Sequence, residues 1–337
     1  MHNDIHLKAI ASTAILVFII GLINTAQIKK QITKTSGTTV APVLNNFLSI
    51  DSSFLNSNIP LSASSPHTNS ASSQNPTSAS SLRTKTPIPT NIITADSYLV
   101  GNLVTGKIYL EKDPTAVRSI ASISKLITAM VIEKNMDPNG QVVVASSSVT
   151  GYEQVDDVHP GETFSISDLD KGMLLISSND AALAFANNYG YTAFMSLMNA
   201  TAASLGMTQT SFEDPSGLSP ENVSSANDLF KLARYLYADE PGILAITKTP
   251  EFDLATTTNH DGHNFMNFNP FVYDPHYLGG KTGRTADAGE TMLSMFRLPI
   301  KGVNNPIAII VLHSNQDSRQ TDSDLLVEKV LGIISSQ

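Results

Sequence analysis

Hydrophobic and polar positions along the chain fall into regular periods only from about Ile92 onward. Two short runs rich in β-branched and aromatic residues, 97–103 and 107–111, flank Thr105-Gly106, the signal of a β-hairpin. Residues 122–134 predict a helix with Leu126, Ile127, Met130 and Val131 on one face. A second helix is expected from 167, where Ser167 and Asp170 have capping-box spacing. It runs to about 176 and breaks at Ser177-Ser178-Asn179. Helical periods resume at 180–188, at 192–205 with Gly206 as the stop, and at 227–238, ending before Pro241. Three strand-like runs follow, 277–282, 291–298 and 307–313, and an amphipathic helix over 322–334 closes the chain. Strands at both ends with helices between them predict an α/β domain whose termini share one antiparallel sheet. No internal repeat interrupts this order.

The first 91 residues follow a different pattern. Residues 9–26 form an uncharged apolar run. As a helix it rises about 27 Å, close to the roughly 30 Å of a bilayer's hydrocarbon core. We therefore expect residues 1–8 to be a tail and 9–28 a transmembrane anchor or a signal segment. Lys29, Lys30 and Lys34 follow the apolar run and Lys8 precedes it. The positive-inside rule alone would place the long C-terminal part in the cytoplasm, although long domains often cross regardless of such charge. Residues 29–91 are rich in Ser, Thr, Asn and Pro and nearly uncharged beyond Lys34, too poor in large apolar groups to offset chain entropy. They predict a flexible tether with a reach on the order of 40 Å, leading to a single domain over 92–337.

Composition narrows the chemistry. A net charge of -9 offers no basic field for nucleic acid. The absence of Cys excludes thiol nucleophiles, disulfides and thiolate metal sites. His159, His260, His263 and His276 lack the spacing of a helical metal motif, and Asn259-His260-Asp261-Gly262-His263 suggests a polar turn. No metal and no cofactor is expected.

Three short motifs carry the candidate chemistry. Ser122-Ile123-Ser124-Lys125 opens an apolar helix, and positions three apart share a helix face. A serine hydroxyl needs a base, and a lysine amine serves once burial or a neighbouring cation lowers its pKa. The alternative for Lys125 is a snorkelling surface residue. Ser177-Ser178-Asn179 supplies a hydroxyl and an amide at a helix break, but the Ser-x-Asn pattern recurs at Ser73 and Ser225, where cap chemistry suffices. Lys281-Thr282-Gly283 ends a strand-like run after Gly279-Gly280, where backbone can approach a ligand and Lys and Thr can hold a carboxylate.

Each motif is weak alone. Their order, Ser-x-x-Lys then Ser-x-Asn then Lys-Thr-Gly, is the set of the penicillin-binding proteins and class A β-lactamases. From about Ala95 to the end the chain resembles the D-alanyl-D-alanine carboxypeptidases, the low-molecular-mass penicillin-binding proteins. SYLVGNLVTGKIYLEKD is similar to their opening hairpin, ASISKLITAMV to their nucleophile helix and GGKTGRTADAGETMLSM to their Lys-Thr-Gly strand and its return. PGETFSISDLDKGMLLISSNDAALAFAN is similar to the stretch through Ser-x-Asn, and ASLGMTQTSFEDPSGL and SSANDLFKLARYL to the segments after it.

The resemblance implies a penicillin-binding-protein/β-lactamase-like transpeptidase fold, an antiparallel sheet flanked by a helical cluster. It implies a serine peptidase that trims peptidoglycan stem peptides ending in D-Ala-D-Ala and is acylated by β-lactams. Ser122 would be the nucleophile and Lys125 its base. Ser177 and Asn179 would assist proton transfer and orient substrate; Lys281, Thr282 and Gly283 would hold the terminal carboxylate. The backbone N–H groups of Ser122 and Arg284 would form the oxyanion hole, and Arg319 would add a carboxylate contact or serve only as a surface ion pair. Many members carry a second, all-β domain and a C-terminal amphipathic anchor. Because the sequence stops at Gln337, anchoring is expected to fall to the N-terminal helix, in the cell membrane as a single pass with the catalytic domain outside the cytoplasm.

Three other readings share these residues. A DD-endopeptidase cutting crosslinks uses the same motifs. A β-lactamase needs a glutamate for deacylation; Glu213 falls between the second and third motifs, but its context, FEDPSGL, resembles the carboxypeptidase loop. A non-catalytic wall-binding or β-lactam-sensing protein would be signalled by loss of Ser122, Lys125 or Lys281, all of which are present.

Overall fold

The computed structural model describes residues 92–149, 158–300 and 303–336. The expected N-terminal tail, the apolar segment over 9–28 and the tether lie outside the described residues. No helix among the described residues is long and apolar enough to cross a membrane.

Strands β1 (Ser97–Asn102) and β2 (Ile108–Lys112) form the opening hairpin. A 3₁₀ turn over Ala121–Ser124 leads into α1 (Lys125–Asn135). Helices α2 (Ile166–Leu175), α3 (Asn179–Tyr189), α4 (Tyr191–Ser204), α5 (Ala226–Asp239) and α6 (Pro241–Lys248) follow. The chain then returns through β3 (Tyr277–Thr285), β4 (Gly289–Ile300) and β5 (Val303–Ser314) to α7 (Arg319–Ser336). The five strands form one sheet in the order β2-β1-β5-β4-β3, every pair antiparallel. First and last strands are therefore neighbours, as the strand pattern at the two ends of the domain predicts.

The inner strand β5 is buried on both faces of the sheet, and its period-2 geometry assigns its residues to them. Ala308, Ile310 and Leu312 point into the core shared with α1–α6. Ile307, Ile309 and Val311 point the other way, against Leu326 and Val330 of α7. Burying each of these side chains larger than alanine contributes about 1.5–3 kcal/mol, so this strand ties the two layers together.

Helix α1 is more deeply placed than a one-sided apolar stripe suggests. Every residue from Lys125 to Ile132 is buried, because the helix runs through the middle of the helical layer rather than over its surface. Lys125 is thus a core residue, and the snorkelling alternative is excluded.

Two local expectations are corrected. The cap of α2 is Ser165, whose Oγ accepts from the Asp168 N–H at 3.1 Å, and the Ser167–Asp170 pair plays no such part. Burial of Ile166, Leu169 and Met173 sets the helix phase two residues earlier and turns Asp170 into the core. Pro241, read as a stop, also starts α6, since proline in a first helical turn sacrifices no hydrogen bond. A ribbon of Glu251–Leu254 with His263–Met266 follows. The His260 carbonyl of the expected polar turn accepts from the Thr257 N–H just before it, but His263 enters the ribbon and its buried ring lies 2.9 Å from Glu162.

Candidate active site

The site lies where the start of α1, the α2–α3 junction, the 214–219 loop and the end of β3 converge. It forms a cleft of about 390 Å³ lined by Ser122, Ser177, Asn179, Thr282, Gly283 and Arg319, with Leu218 and Phe268 as its apolar wall.

Ser122 sits in the 3₁₀ turn before α1, half-buried while its neighbours are buried. The residue before it, Ala121, has φ +48, a left-handed conformation unusual for a residue with a Cβ and of the kind that collects at functional sites. Close packing of glycines holds this turn. A Cβ on Gly217 (φ +87) would fall 2.0 Å from the Ala121 carbonyl, and one on Gly283 would fall 2.9 Å from the Ser122 nitrogen. Thr291 Oγ1 on β4 donates to the Ile120 carbonyl at 3.1 Å, pinning the turn to the sheet.

Lys125 Nζ lies 3.0 Å from Ser122 Oγ, 2.8 Å from Asn179 Oδ1 and 2.7 Å from the Ser216 carbonyl. The last two atoms only accept, so the amine directs hydrogens toward them. The hydroxyl is the partner with a proton to give, and a neutral amine has one lone pair to receive it. The arrangement can therefore activate Ser122 and hold the amine on target.

Ser177 and Asn179 flank the start of α3. Ser177 takes φ +64, another left-handed non-glycine residue, and the Ser178 Oγ caps the helix by accepting from the Ala181 N–H at 2.9 Å. The three residues thus divide labour: Ser178 caps, while Ser177 and Asn179 line the cleft.

The opposite wall is cationic. Lys281 on β3 is buried, its Nζ donating to the Thr282 carbonyl at 3.1 Å. Burial, then the charges of Lys125 and Arg319, push its pKa well below the usual lysine range. Arg319, at the start of α7, donates from its guanidinium to the Gly283 carbonyl at 2.9 Å. Its guanidinium reaches the cleft, so the surface-ion-pair reading does not describe it. Arg284 projects outward, 63% exposed, at 3.9 Å from Glu290. All the predicted site residues except Lys281 and Lys125 line the cleft directly, and those two lie buried immediately behind Thr282 and Ser122.

Sequence reasoning matched FEDPSGL to a family segment but gave the 214–219 loop no part in the site. The Asp214 carboxylate accepts from the N–H groups of Ser216 (2.6 Å), Gly217 (2.8 Å) and Ser219 (2.6 Å), and from the Ser216 hydroxyl at 2.6 Å. The buried amide of Asn222 ties this loop to the 3₁₀ turn before α1, donating to the Asp214 carbonyl (2.8 Å) and to Ser124 Oγ (3.1 Å). The loop presents the Ser216 carbonyl to Lys125, and its Pro215 carbonyl accepts from Thr128 Oγ1 of α1 at 2.6 Å. Its only sequence signal is the turn-forming Asp-Pro-Ser-Gly run. Glu213, the glutamate a β-lactamase reading requires, is exposed and does not line the cleft.

A serine paired with a buried lysine at the head of a core helix, faced by a cationic strand edge, defines a serine acyl-transfer enzyme on the penicillin-binding-protein fold. Comparison with known proteins gives the family. The chain belongs to the D-alanyl-D-alanine carboxypeptidase family, whose model matches residues 83–313. It is 35% identical over 229 residues to a D-alanyl-D-alanine endopeptidase of Escherichia coli, covering 65% of this chain and 71% of that protein. It is 31% identical over 213 residues to the D-alanyl-D-alanine carboxypeptidase DacB2 of Mycobacterium tuberculosis, covering 61% of this chain and 71% of that one. Among solved structures, a D-alanyl-D-alanine carboxypeptidase from Mycobacterium tuberculosis superposes with a TM-score of 0.65 at 26% identity, covering 73% of this chain and 94% of that one. The Streptomyces K15 DD-transpeptidase shares the fold at a TM-score of 0.65 and 22% identity, covering 72% of this chain and 98% of that one. The protein is thus a serine-type DD-peptidase, and peptidoglycan peptides and β-lactams are the ligands that fit its family.

Proposed function

We propose that the protein is a D-Ala-D-Ala carboxypeptidase that trims peptidoglycan stem peptides through an acyl-enzyme on Ser122. The observation that carries this reading is the 3.0 Å approach of Lys125 Nζ to Ser122 Oγ, with the amine held by Asn179 and the Ser216 carbonyl. The terminal carboxylate of the peptide docks against Lys281, Thr282 and Arg319. This sets the last amide bond over Ser122. Ser122 Oγ attacks the carbonyl carbon as Lys125 takes its proton, and the N–H groups of Ser122 and Arg284 receive the developing oxyanion, a contribution of about 3–4 kcal/mol for one such donor. The C–N bond breaks and the proton passes by way of Lys125 and Ser177 to the departing D-Ala nitrogen. Water then hydrolyses the ester, with Lys125 again serving as base.

Endopeptidase cleavage of crosslinks is the second reading. The 35% identity to a protein named as a D-alanyl-D-alanine endopeptidase supports it. In either case we infer that the domain works outside the cytoplasmic membrane, held by the N-terminal apolar segment, since its substrate is found there. Incubating the protein with a pentapeptide ending in D-Ala-D-Ala and assaying D-Ala tests the proposal. Release by the wild type and none by Ser122→Ala is expected; no release by the wild type overturns it.

A further inference from the structure

A crevice of about 350 Å³ lies between the end of α1, the start of α2 and the end of α6. It shares no lining residue with the Ser122 cleft. Glu133 in its wall stands eight residues beyond Lys125 on the same helix, about 12 Å along the axis. Much of the wall is aliphatic, from Ile132, Met136, Ile166 and Ile246. Into this apolar setting α1 and α2 each bring one carboxyl, Glu133 and Asp170.

Asp170 is 4% exposed, and its Oδ1 has no hydrogen-bond partner. Buried carboxyl oxygens are ordinarily satisfied, so this one marks a place for a donor. Burial, then the charge of Glu133, raises the Asp170 pKa to about 7. Burial, then Glu240, raises that of Glu133 to about 7 as well. One positive charge in the crevice would favour the ionised form of both. The lysines next to them in sequence are already committed. Lys171 Nζ bonds Asp168 at 2.9 Å and Ser167 Oγ at 3.3 Å, and lies over the Phe252 ring. Lys134 Nζ lies 3.1 Å from Glu240 and donates to the Tyr235 hydroxyl at 2.9 Å. A cation for the crevice therefore comes from a ligand.

The wall decides which cation. Among the described residues no group of three or more His, Asp or Glu is placed to hold a metal ion. A hydrated inorganic ion gains nothing from Ile and Met side chains, whereas an ammonium carried on an aliphatic chain uses both parts of the wall. Its N–H groups supply the donors that the Asp170 oxygen lacks. We propose that this crevice binds a primary alkylammonium group, its nitrogen donating to Asp170 and attracted by Glu133, its carbon chain against Ile132, Met136 and Ile246. Either a free amine or a lysine side chain of a peptide carries that group.

The test is calorimetric titration of the full-length protein at pH 8 and constant ionic strength. The probes are n-butylammonium chloride, Nα-acetyl-lysine methylamide and, as the uncharged counterpart, n-butanol. Saturable binding of either amine supports the site; tighter binding of the first names a free amine as the source, and of the second a peptide side chain. Asp170→Asn is expected to weaken amine binding at least about tenfold, the loss of a charged hydrogen bond, and Glu133→Gln to weaken it less. Labelling by a fluorescent penicillin should stay within about twofold in both, which shows that they are folded. Should a variant lose labelling, the butanol comparison on the wild type decides. The proposal is overturned if the wild type binds neither amine saturably, if n-butanol binds as tightly as n-butylammonium, or if a folded Asp170→Asn binds within about twofold of the wild type. None of these outcomes bears on Ser122, whose labelling is read separately.

Discussion

Replacing Asp214 by Asn tests whether a loop outside the three motifs positions the base. The substitution keeps shape and removes charge. With the Asn oxygen in the place of Oδ1, the bonds from the Ser216 and Gly217 N–H groups survive as neutral ones. The amide nitrogen then stands where Oδ2 now accepts from the Ser219 N–H at 2.6 Å, donor against donor. Hydrogen bonds to a charged group are worth about 1.5–3 kcal/mol and neutral ones about 1. Weakening the retained bonds and reversing one gives a projected loss of about 3 kcal/mol in stability. The functional effect follows from the Ser216 carbonyl, 2.7 Å from Lys125 Nζ. A shift of about 1 Å in a positioning group costs up to roughly 100-fold in rate, so acylation should slow about 10- to 100-fold. Urea unfolding measures the first effect, and the rate of labelling by a fluorescent penicillin measures the second. A variant that is destabilised yet acylates within twofold of the wild type would refute a positioning role for the loop.

Three further outcomes are expected. Asp170, fully buried, has its pKa raised to about 7 by burial and then by Glu133, so the native state holds a proton that the unfolded chain has lost above about pH 4. Native protein therefore binds more protons in that window and stability falls as pH rises from about 4 to 7; Asp170→Asn should flatten this slope in thermal melts and raise Tm at pH 8. Lys281 has a pKa well below the usual range, so its cation is lost as pH rises through that lowered value, and KM for a carboxylate-bearing peptide should rise there. Lys281→Arg, which stays charged, should remove that pH dependence of KM if the lysine charge holds the carboxylate. Gly217→Ala would place a Cβ 2.0 Å from the Ala121 carbonyl at φ +87; since neither backbone can yield cheaply, we expect a loss of at least about 2 kcal/mol and of penicillin labelling, and unchanged labelling would contradict the packing account.

What was legible in the sequence had a periodic or covalent signature. The strands at both ends alternate or run apolar, so the sheet and its shared termini could be read directly. Ser122 and Lys125 are adjacent by helical geometry alone, and their helix was found within a residue or two of its observed end. Ser177, Asn179, Lys281 and Thr282 were found because their motifs fall in a recognisable order, since spacing gives no hint that Asn179 lies 2.8 Å from Lys125 Nζ. The Ser216 carbonyl was missed because every residue has one; what selects it is a loop wound around Asp214 and tied to Ser124 by Asn222. The cap of α2 went wrong because two serines lie two residues apart, and tertiary burial of Ile166 chose between them. Pro241 marks both the end of one helical period and the first residue of the next helix.

The most direct test of the account is the mass of the intact protein after brief exposure to benzylpenicillin, followed by peptide mapping. The account predicts a single added acyl group, located on Ser122 and absent from Ser122→Ala and from Lys125→Ala on the same time scale. An adduct on any other residue, or acylation of Lys125→Ala at the wild-type rate, would contradict the claim that Ser122 is the nucleophile and Lys125 its base.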